Sequence, residues 1–407
     1  MEKKKIFFVA YGAGHIGMLI PVIHQLRKDA SLDIVVLGLT TARDKLEAAG
    51  IPYLGYSDLI KAMDNYAQVK AYGERLVAAL PAGTVPVEES VAYLGANYAE
   101  LVQAFGEAAA AARYHSEGRQ AYLPVNFMKR VLEKYQPDLV VATNSPRTER
   151  AAIVAAGALA IPALCLVDLF ALQEVAWIGE PGYADRICVL SQAVKDMFVA
   201  HGRQDSEVVV TGNPAFDPLS APGLVGARES VRQAHGWSED DKVILFASQV
   251  EPLKHPFNDL KGNSELPRDI ERALCRIVEK HSNYRLIVRH HPSETVEPAA
   301  MPARVEIGDK SENLAALLHS VDVVVVMSST VGLEAALIGK PVVSVDMSVF
   351  TPDAPYAEMG ISLGVGKLDA LEAAVDKAIA GGAPNGAVCG DGKATARIVA
   401  EIKATIA

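Results

Sequence analysis

Cysteine is scarce in this sequence: its 407 residues hold four, Cys165, Cys188, Cys275 and Cys389. None stands at metal-ligand spacing from another. Neither a cysteine zinc site nor a disulfide framework is expected, and free thiols in a reducing cytoplasm are. Uninterrupted apolar length is also short. The uncharged stretch at residues 151–167 is broken by Pro162. It falls below the roughly 20 residues that span a bilayer and reads as a buried helix followed by a buried strand. The basic start Met1-Glu2-Lys3-Lys4-Lys5 leads into an apolar run, Ile6 to Ala10, too short for a signal-peptide core. Positive charge is outnumbered, 39 Lys and Arg against 49 Asp and Glu, for a net charge of -10. That balance disfavours nonspecific binding to nucleic acid. There is no Asp-x-Asp metal motif, no internal repeat and no long low-complexity run. The expectation is a cytoplasmic protein with at most peripheral contact at the inner membrane face, and with no metal.

What is present is an alternation of short apolar runs with helix-like spacing. At roughly 100–200 residues per domain, the length favours two domains. Lys5 to Ala10 reads as a strand, Tyr11-Gly12-Ala13-Gly14 as a turn and Met18 to Leu26 as a helix. Asp33 to Gly38 is the next strand, Thr41 to Ala49 the next helix, and Gly50-Ile51-Pro52-Tyr53 begins another edge. Residues 57–134 break the rhythm and are helical in composition, as in an insertion or lid. Strand signals return at Pro137 to Ala142, Ile161 to Val167, Arg186 to Leu190 and Val208 to Val210. Asp217 to Gly226, rich in Pro, Gly, Ala and Leu, is the linker candidate. A second alternation has strands at Lys242 to Ala247, Tyr284 to Arg289, Val323 to Val326 and Pro341 to Val345. Its helices fall at about Leu266 to Lys280, Asn313 to His319, Gly332 to Ile338 and Leu368 to Ala380. Strands alternating with helices predict doubly wound parallel sheets covered on both faces. The expected fold class is therefore α/β, with two Rossmann-like domains facing a cleft. The first spans 1–220, the second 227–392, and a last helix over 393–407 crosses back to the first. Ligands of such sheets lie beyond the carboxyl ends of the strands.

Three motifs stand at strand ends. Ser328-Ser329-Thr330 follows the valine strand and opens a helix containing Glu334. Small hydroxyl residues at a helix N-terminus suit a phosphate, and a carboxylate one turn in could accept ribose hydroxyls. The same residues could serve simply as an N-cap. Arg289-His290-His291-Pro292 ends another strand. There Pro292 stiffens the turn, Arg289 adds a fixed charge, and His291 could assist a departing phosphate by charge or proton donation. Gly12-Ala13-Gly14-His15 ends the first strand, and its histidine is a candidate general base. This turn is not expected to bind a dinucleotide. Gln249 and Glu251 follow the first strand of the second half, and Asp168 and Glu174 lie in the first. Each of these four reads as structural more readily than as catalytic.

The segment Ser328-Ser329-Thr330-Val331-Gly332-Leu333-Glu334 through Gly339-Lys340-Pro341-Val342 resembles the donor-binding loop and helix of GT-B glycosyltransferases, especially bacterial capsule and surface-glycan enzymes. His291-Pro292 resembles the HP motif of bacterial sialyltransferases, Kdo transferases and CDP-glycerol polymerases. Gly12-x-Gly14-His15, continued by Pro21 and Leu26, resembles the acceptor-side loop opening many GT-B enzymes. Val210-Thr211-Gly212-Asn213-Pro214 is similar to the hinge of the UDP-N-acetylglucosamine 2-epimerase family. The acidic catalytic segments of that family are not recognisable at Thr143-Asn144-Ser145 or Asp168-Leu169-Phe170.

The resemblance implies a glycosyltransferase. Its donor site would be formed by Gln249, Arg289, His291, Pro292, Ser328, Ser329, Thr330 and Glu334. Its acceptor side would be Gly12, Gly14 and His15, with His15 and His291 as catalytic candidates. A CMP-nonulosonate or CMP-Kdo donor is favoured and a UDP-sugar comes next. The acceptor would be a glycan, lipid-linked or protein group in bacterial surface polysaccharide or glycoconjugate synthesis. No obligatory cofactor is expected, and a homodimer is compatible with the resemblance. The alternatives are a UDP-N-acetylhexosamine 2-epimerase or hydrolase on the same fold, and a non-catalytic binding protein.

Overall fold

The computed structural model describes residues 3–12, 14–81, 83–256, 258–294, 301–384, 386–388 and 390–407, without the side chain of Val225. Cys389 and Ala13 therefore lie outside the described residues. The chain forms two units, one of residues 1–215 with 393–407 and the other of residues 216–392.

The first unit is built on a six-stranded sheet. Its strands are β1 (Lys4–Ala10), β2 (Leu32–Gly38), β3 (Leu139–Thr143), β4 (Ala163–Leu166), β5 (Arg186–Val189) and β6 (Val208–Val210), in the order β2-β1-β3-β4-β5-β6. Every neighbouring pair is parallel. β3 and β4 are buried along their whole length, as a sheet with helices on both faces requires. One face carries the helix Gly14–Leu26 and the C-terminal helix Ala394–Ile406, whose Ile398, Val399 and Ile402 share a core with Ile6, Phe8 and Leu19. Gly50-Ile51-Pro52-Tyr53 does not become a strand. It leads to one isolated bridge between Leu37 and Leu54, because Pro52 offers no N–H for a ladder and the helix Tyr56–Ile60 starts at once.

Between β2 and β3 the chain runs through the helices Tyr56–Ile60, Tyr66–Val77, Val87–Phe105, Glu107–Glu117 and Val125–Tyr135. Two of them meet backbone to backbone. A Cβ on Gly73 would lie 2.0 Å from the Val91 carbonyl oxygen, and one on Gly95 would lie 2.1 Å from that of Val69. Only glycine permits that approach. The buried Glu89 fixes the first of these helices, accepting from the backbone N–H of Tyr56 at 2.6 Å and Ser57 at 3.0 Å.

The second unit repeats the plan with β7 (Lys242–Ala247), β8 (Tyr284–Arg289), β9 (Val305–Ile307), β10 (Val323–Val326), β11 (Val342–Val345) and β12 (Leu363–Val365). The order is β12-β11-β10-β7-β8-β9, again all parallel. The helices Leu266–Lys280 and Leu371–Ile379 cover one face over Ile244, Leu286, Val325 and Val343. The segment read as a linker, 217–226, is a 3-10 turn over Pro214–Ser220 followed by the short helix Pro222–Val225. The division of the chain falls just before it, between Ala215 and Phe216. Among the described residues no helix is long and apolar enough to cross a membrane.

The C-terminal helix completes a core that begins with β1, so its loss should be felt by the whole first unit. Ile402 is fully buried, and Ile402→Ala should lower unfolding stability by about 2–5 kcal/mol in urea titration. An unchanged midpoint would contradict that packing.

Candidate functional site

In the second sheet the chain runs outward from β7 to β8 and β9, then returns to the other side of β7 for β10, β11 and β12. The carboxyl ends of β7 and β10 therefore diverge and open a crevice, the usual ligand position of such sheets. The side chain of Gln249 spans it. Its Oε1 accepts from the Ser328 backbone N–H at 3.0 Å, and its Nε2 donates to Ser328 Oγ at 2.9 Å. Ser329 is the N-cap of the helix Thr330–Leu337, its Oγ accepting from the Val331 N–H at 3.3 Å. The helix thus starts two residues earlier than the expected Gly332, and Thr330 belongs to its first turn. Of the three hydroxyls, Ser328 and Ser329 are engaged within the fold. The exposed Thr330 hydroxyl makes no hydrogen bond to a described residue.

Glu251 is scaffold. Buried at 3% exposure, it accepts from Ser348 Oγ at 2.7 Å and the Val349 N–H at 2.8 Å. Ser348 Oγ in turn lies 3.4 Å from Gln249 Nε2, so Glu251 braces the residue that bridges the crevice. Lys340, of the Gly339-Lys340-Pro341 turn, is scaffold too. It donates to the carbonyls of His319 at 2.8 Å and Val321 at 2.9 Å, at the amino end of the sheet, and burial lowers its pKa to about 8.

Arg289 is committed as well. Its guanidinium donates to the carbonyls of Lys310 and Glu312 at 3.2 Å, which fixes that loop. His290 is enclosed, with Nε2 2.8 Å from Arg268 Nη1 and 3.2 Å from Glu271 Oε2. His291 is exposed. Its Nδ1 accepts from the Ser293 N–H at 3.1 Å, which leaves the neutral ring's proton on Nε2, outward as a donor. The turn is held by Glu294, which accepts from the His291 N–H at 2.7 Å and from Arg268 at 2.9 Å. His291 and the exposed Pro292 follow β8, one strand removed from β10, and neither bonds to the Ser328–Thr330 turn.

Glu334 has no hydrogen-bond partner among the described residues. Burial raises its pKa from 4.5 to about 7, and the Arg289 charge opposes the rise. A half-buried carboxylate without a donor, one turn into a helix at the crevice, is what a ligand's hydroxyl groups would satisfy.

The first sheet reverses between β1 and β3. Gly12 closes the turn after β1 against Thr41, whose Oγ1 would lie 1.7 Å from any Cβ there. Gly12, Gly14 and Gly17 also carry the G-x-G-x-x-G spacing of a dinucleotide turn. The acidic residue such a site needs after β2 is lacking, since Leu39-Thr40-Thr41 stands there. The Tyr11 N–H donates to the buried Glu149 Oε1 at 2.7 Å, and burial raises the pKa of that carboxyl. His15 opens the helix Gly14–Leu26 with Nε2 3.9 Å from Asp168 Oδ2 and Nδ1 buried without a partner among the described residues. Nε2 is therefore the nitrogen able to exchange a proton. Asp168 is positioned by its neighbours. Its N–H donates to Asn144 Oδ1 at 3.1 Å, and its carbonyl accepts from Asn213 Nδ2 at 2.6 Å. Glu174 lies close enough that burial, and then the Asp168 charge, raise its pKa.

Arg147 was not among the residues anticipated from sequence. It is the N-cap of the helix Thr148–Ala158 after β3. Its side chain makes no hydrogen bond or ion pair with a described residue, and its guanidinium lies 6.0 Å from the Tyr11 ring centroid. Its place just past a strand end was the available signal. Among the described residues no group of three or more His, Cys, Asp or Glu is placed to hold a metal ion.

Two doubly wound units with ligand-end loops of this kind define the GT-B fold. Solved structures of that fold match the chain from end to end. UDP-GlcNAc 2-epimerase from Neisseria meningitidis, bound to UDP-GlcNAc, is 16% identical with a TM-score of 0.59, over 98% of this chain and 100% of that one. The Methanocaldococcus jannaschii UDP-GlcNAc 2-epimerase gives 16% and 0.59, over 98% and 99%. The calicheamicin glycosyltransferase gives 16% and 0.57, over 100% and 99%. No family profile and no curated protein matches the sequence.

Glu334 generates a test independent of any ligand. Its folded-state pKa, about 7, lies above the ordinary value, so folding takes up a proton between about pH 4.5 and 7. Stability from this group is full below that window and is lost as pH rises through it. Glu334→Gln should flatten the pH dependence of urea stability there, and identical wild-type and variant profiles would refute the raised pKa.

Proposed function

We propose that the protein is a nucleotide-sugar-dependent glycosyltransferase whose second unit binds the donor. The observation that carries this reading is the crevice end at Ser328–Thr330. Gln249 fixes the turn across it, Thr330 leaves a hydroxyl uncommitted, and Glu334 offers a carboxylate with no partner. The donor phosphates would meet the first turn of Thr330–Leu337 and His291 Nε2, and the ribose hydroxyls would meet Glu334. Arg289 acts by shaping the loop and by its field rather than by direct grip. A cytidine-linked donor, CMP-nonulosonate or CMP-Kdo, is the favoured choice, on the pairing of His291-Pro292 with the serine turn, and a UDP-sugar comes next. No obligatory cofactor or metal is invoked.

In the first unit, His15 Nε2 would take the proton of the acceptor hydroxyl. The acceptor oxygen bonds to the anomeric carbon, the bond from that carbon to the donor phosphate breaks, and the electron pair leaves on the nucleotide. The acceptor would be a glycan, lipid-linked or protein group of a bacterial surface polysaccharide or glycoconjugate.

A second reading, a UDP-N-acetylhexosamine 2-epimerase or hydrolase, draws on one observation. His15, Asp168 and Glu174 bring acid and base groups together at the first sheet's strand ends. Two of the similar structures are also UDP-GlcNAc 2-epimerases.

Thermal-shift titration with CMP, CDP and UDP tests the donor site. At least one should raise the melting temperature, and Thr330→Val and Glu334→Gln should each weaken its binding several-fold. Stabilisation by none of the three would overturn the reading. Incubation of UDP-GlcNAc without acceptor separates the alternatives: the transferase reading expects the sugar nucleotide unchanged, whereas a new epimer or free sugar favours the second.

A further inference from the structure

The helices between β2 and β3 line a half-open cavity of about 590 Å³, walled by Tyr56–Ile60, Tyr66–Val77, Val87–Phe105 and Val125–Tyr135. Its size falls within the range of small-molecule sites. Its chemistry narrows the ligand. The floor is apolar, formed by Leu59, Phe127 and Val131. The wall carries two cations, Arg130 and Lys134, and two anions, Asp64 and Glu100, so no charge of one sign awaits a phosphate. Glu100 and Arg130 pair at 3.0 Å, and the Asn126 N–H donates to Glu100 at 3.1 Å, which settles the most buried charge without a ligand. The amides remain open. The Asn65 and Gln103 side chains make no hydrogen bond to a described residue, and Gln68 uses only its Nε2, towards Tyr72 at 3.0 Å. Asn65, Gln68 and Gln103 are exposed, so they form a rim of uncharged hydrogen-bonding groups above the apolar floor. They suit a ligand that is neutral and rich in hydroxyl groups.

The cavity is also tied to the first sheet's ligand end. Phe127 stacks on Tyr56 at 5.0 Å between centroids, and the Tyr56 hydroxyl lies 2.8 Å from Thr148 Oγ1. Thr148 opens the helix capped by Arg147.

We propose that this cavity is a saccharide-binding site for a neutral segment of the acceptor glycan. The word acceptor rests on the transferase reading; the ligand class rests on the cavity alone. The apolar floor takes the less polar face of a sugar ring, and the amides order its hydroxyls. Occupancy is communicated to the strand ends through Phe127, Tyr56 and Thr148.

The test is an immobilised glycan array probed with the labelled full-length protein. Wild type should retain neutral oligosaccharides. Ala99→Trp fills the cavity and Gln103→Leu removes an open amide, and each should lower that signal by about tenfold or more. Far-UV circular dichroism and the urea midpoint of the full-length protein report that the variants remain folded and should stay close to wild type. Should Ala99→Trp fail to fold, the exposed Gln103 variant decides. Absence of any neutral glycan signal, retention of acidic or lipid-bearing glycans alone, or signals that survive both substitutions would overturn the proposal. Glycan binding lost in the variants while no nucleotide binds at all would sink the transferase reading and leave this site standing.

Discussion

A parallel sheet cannot turn its chain back through a hairpin. Each strand must be re-entered from the same end, over a covering helix, so the strand order has to reverse somewhere if both faces are to be covered. At that reversal two neighbouring loops leave in opposite directions, and the sheet opens at its carboxyl edge. Both units obey this constraint, one between β1 and β3, the other between β7 and β10. In the second unit Gln249, Ser328 and Thr330 come from the loops that part there. His15, Tyr11 and Asn144 do the same in the first. The helices and cores serve to hold these edges at fixed register.

A second regularity separates scaffold from site. Polar side chains near the crevices divide into those satisfied by the fold and those left open. Gln249, Glu251, Arg289, His290 and Lys340 spend their hydrogen bonds on backbone or neighbouring side chains. Glu334, the Thr330 hydroxyl, His291 Nε2 and Arg147 do not. Buried or half-buried polar groups without partners cost stability. Glu334 and Arg147 are half-buried and follow strand ends, where a ligand would complete them.

The sheet strands were readable because each is a short, strongly apolar run bounded by turn residues, as in Val323–Val326 before Met327-Ser328. The helix Leu266–Lys280 was readable because its apolar positions repeat along one face. β9 and β12 were missed. Each is three residues long at a sheet edge, with one face exposed, and so carries almost no periodic signal. The site was legible in its residue types and not in their commitments. Nothing in Arg289-His290-His291-Pro292 reveals that Arg289 spends itself on the carbonyls of Lys310 and Glu312, since those partners lie 21 and 23 residues away. Nor does Arg147 look different in sequence from any surface arginine. That its guanidinium has a ring beside it and no hydrogen-bond partner among the described residues is a property of the fold around it.

The central claim is that the β7–β10 crevice of the second unit is a nucleotide site. Backbone amide NMR of isotope-labelled protein titrated with CMP, CDP and UDP addresses it most directly. The account predicts saturable shifts confined to the Ser328–Gly332 turn, Gln249 and the His291 turn, reduced in Glu334→Gln. Saturable shifts that bypass Ser328–Gly332, or none with any of the three nucleotides, would contradict it.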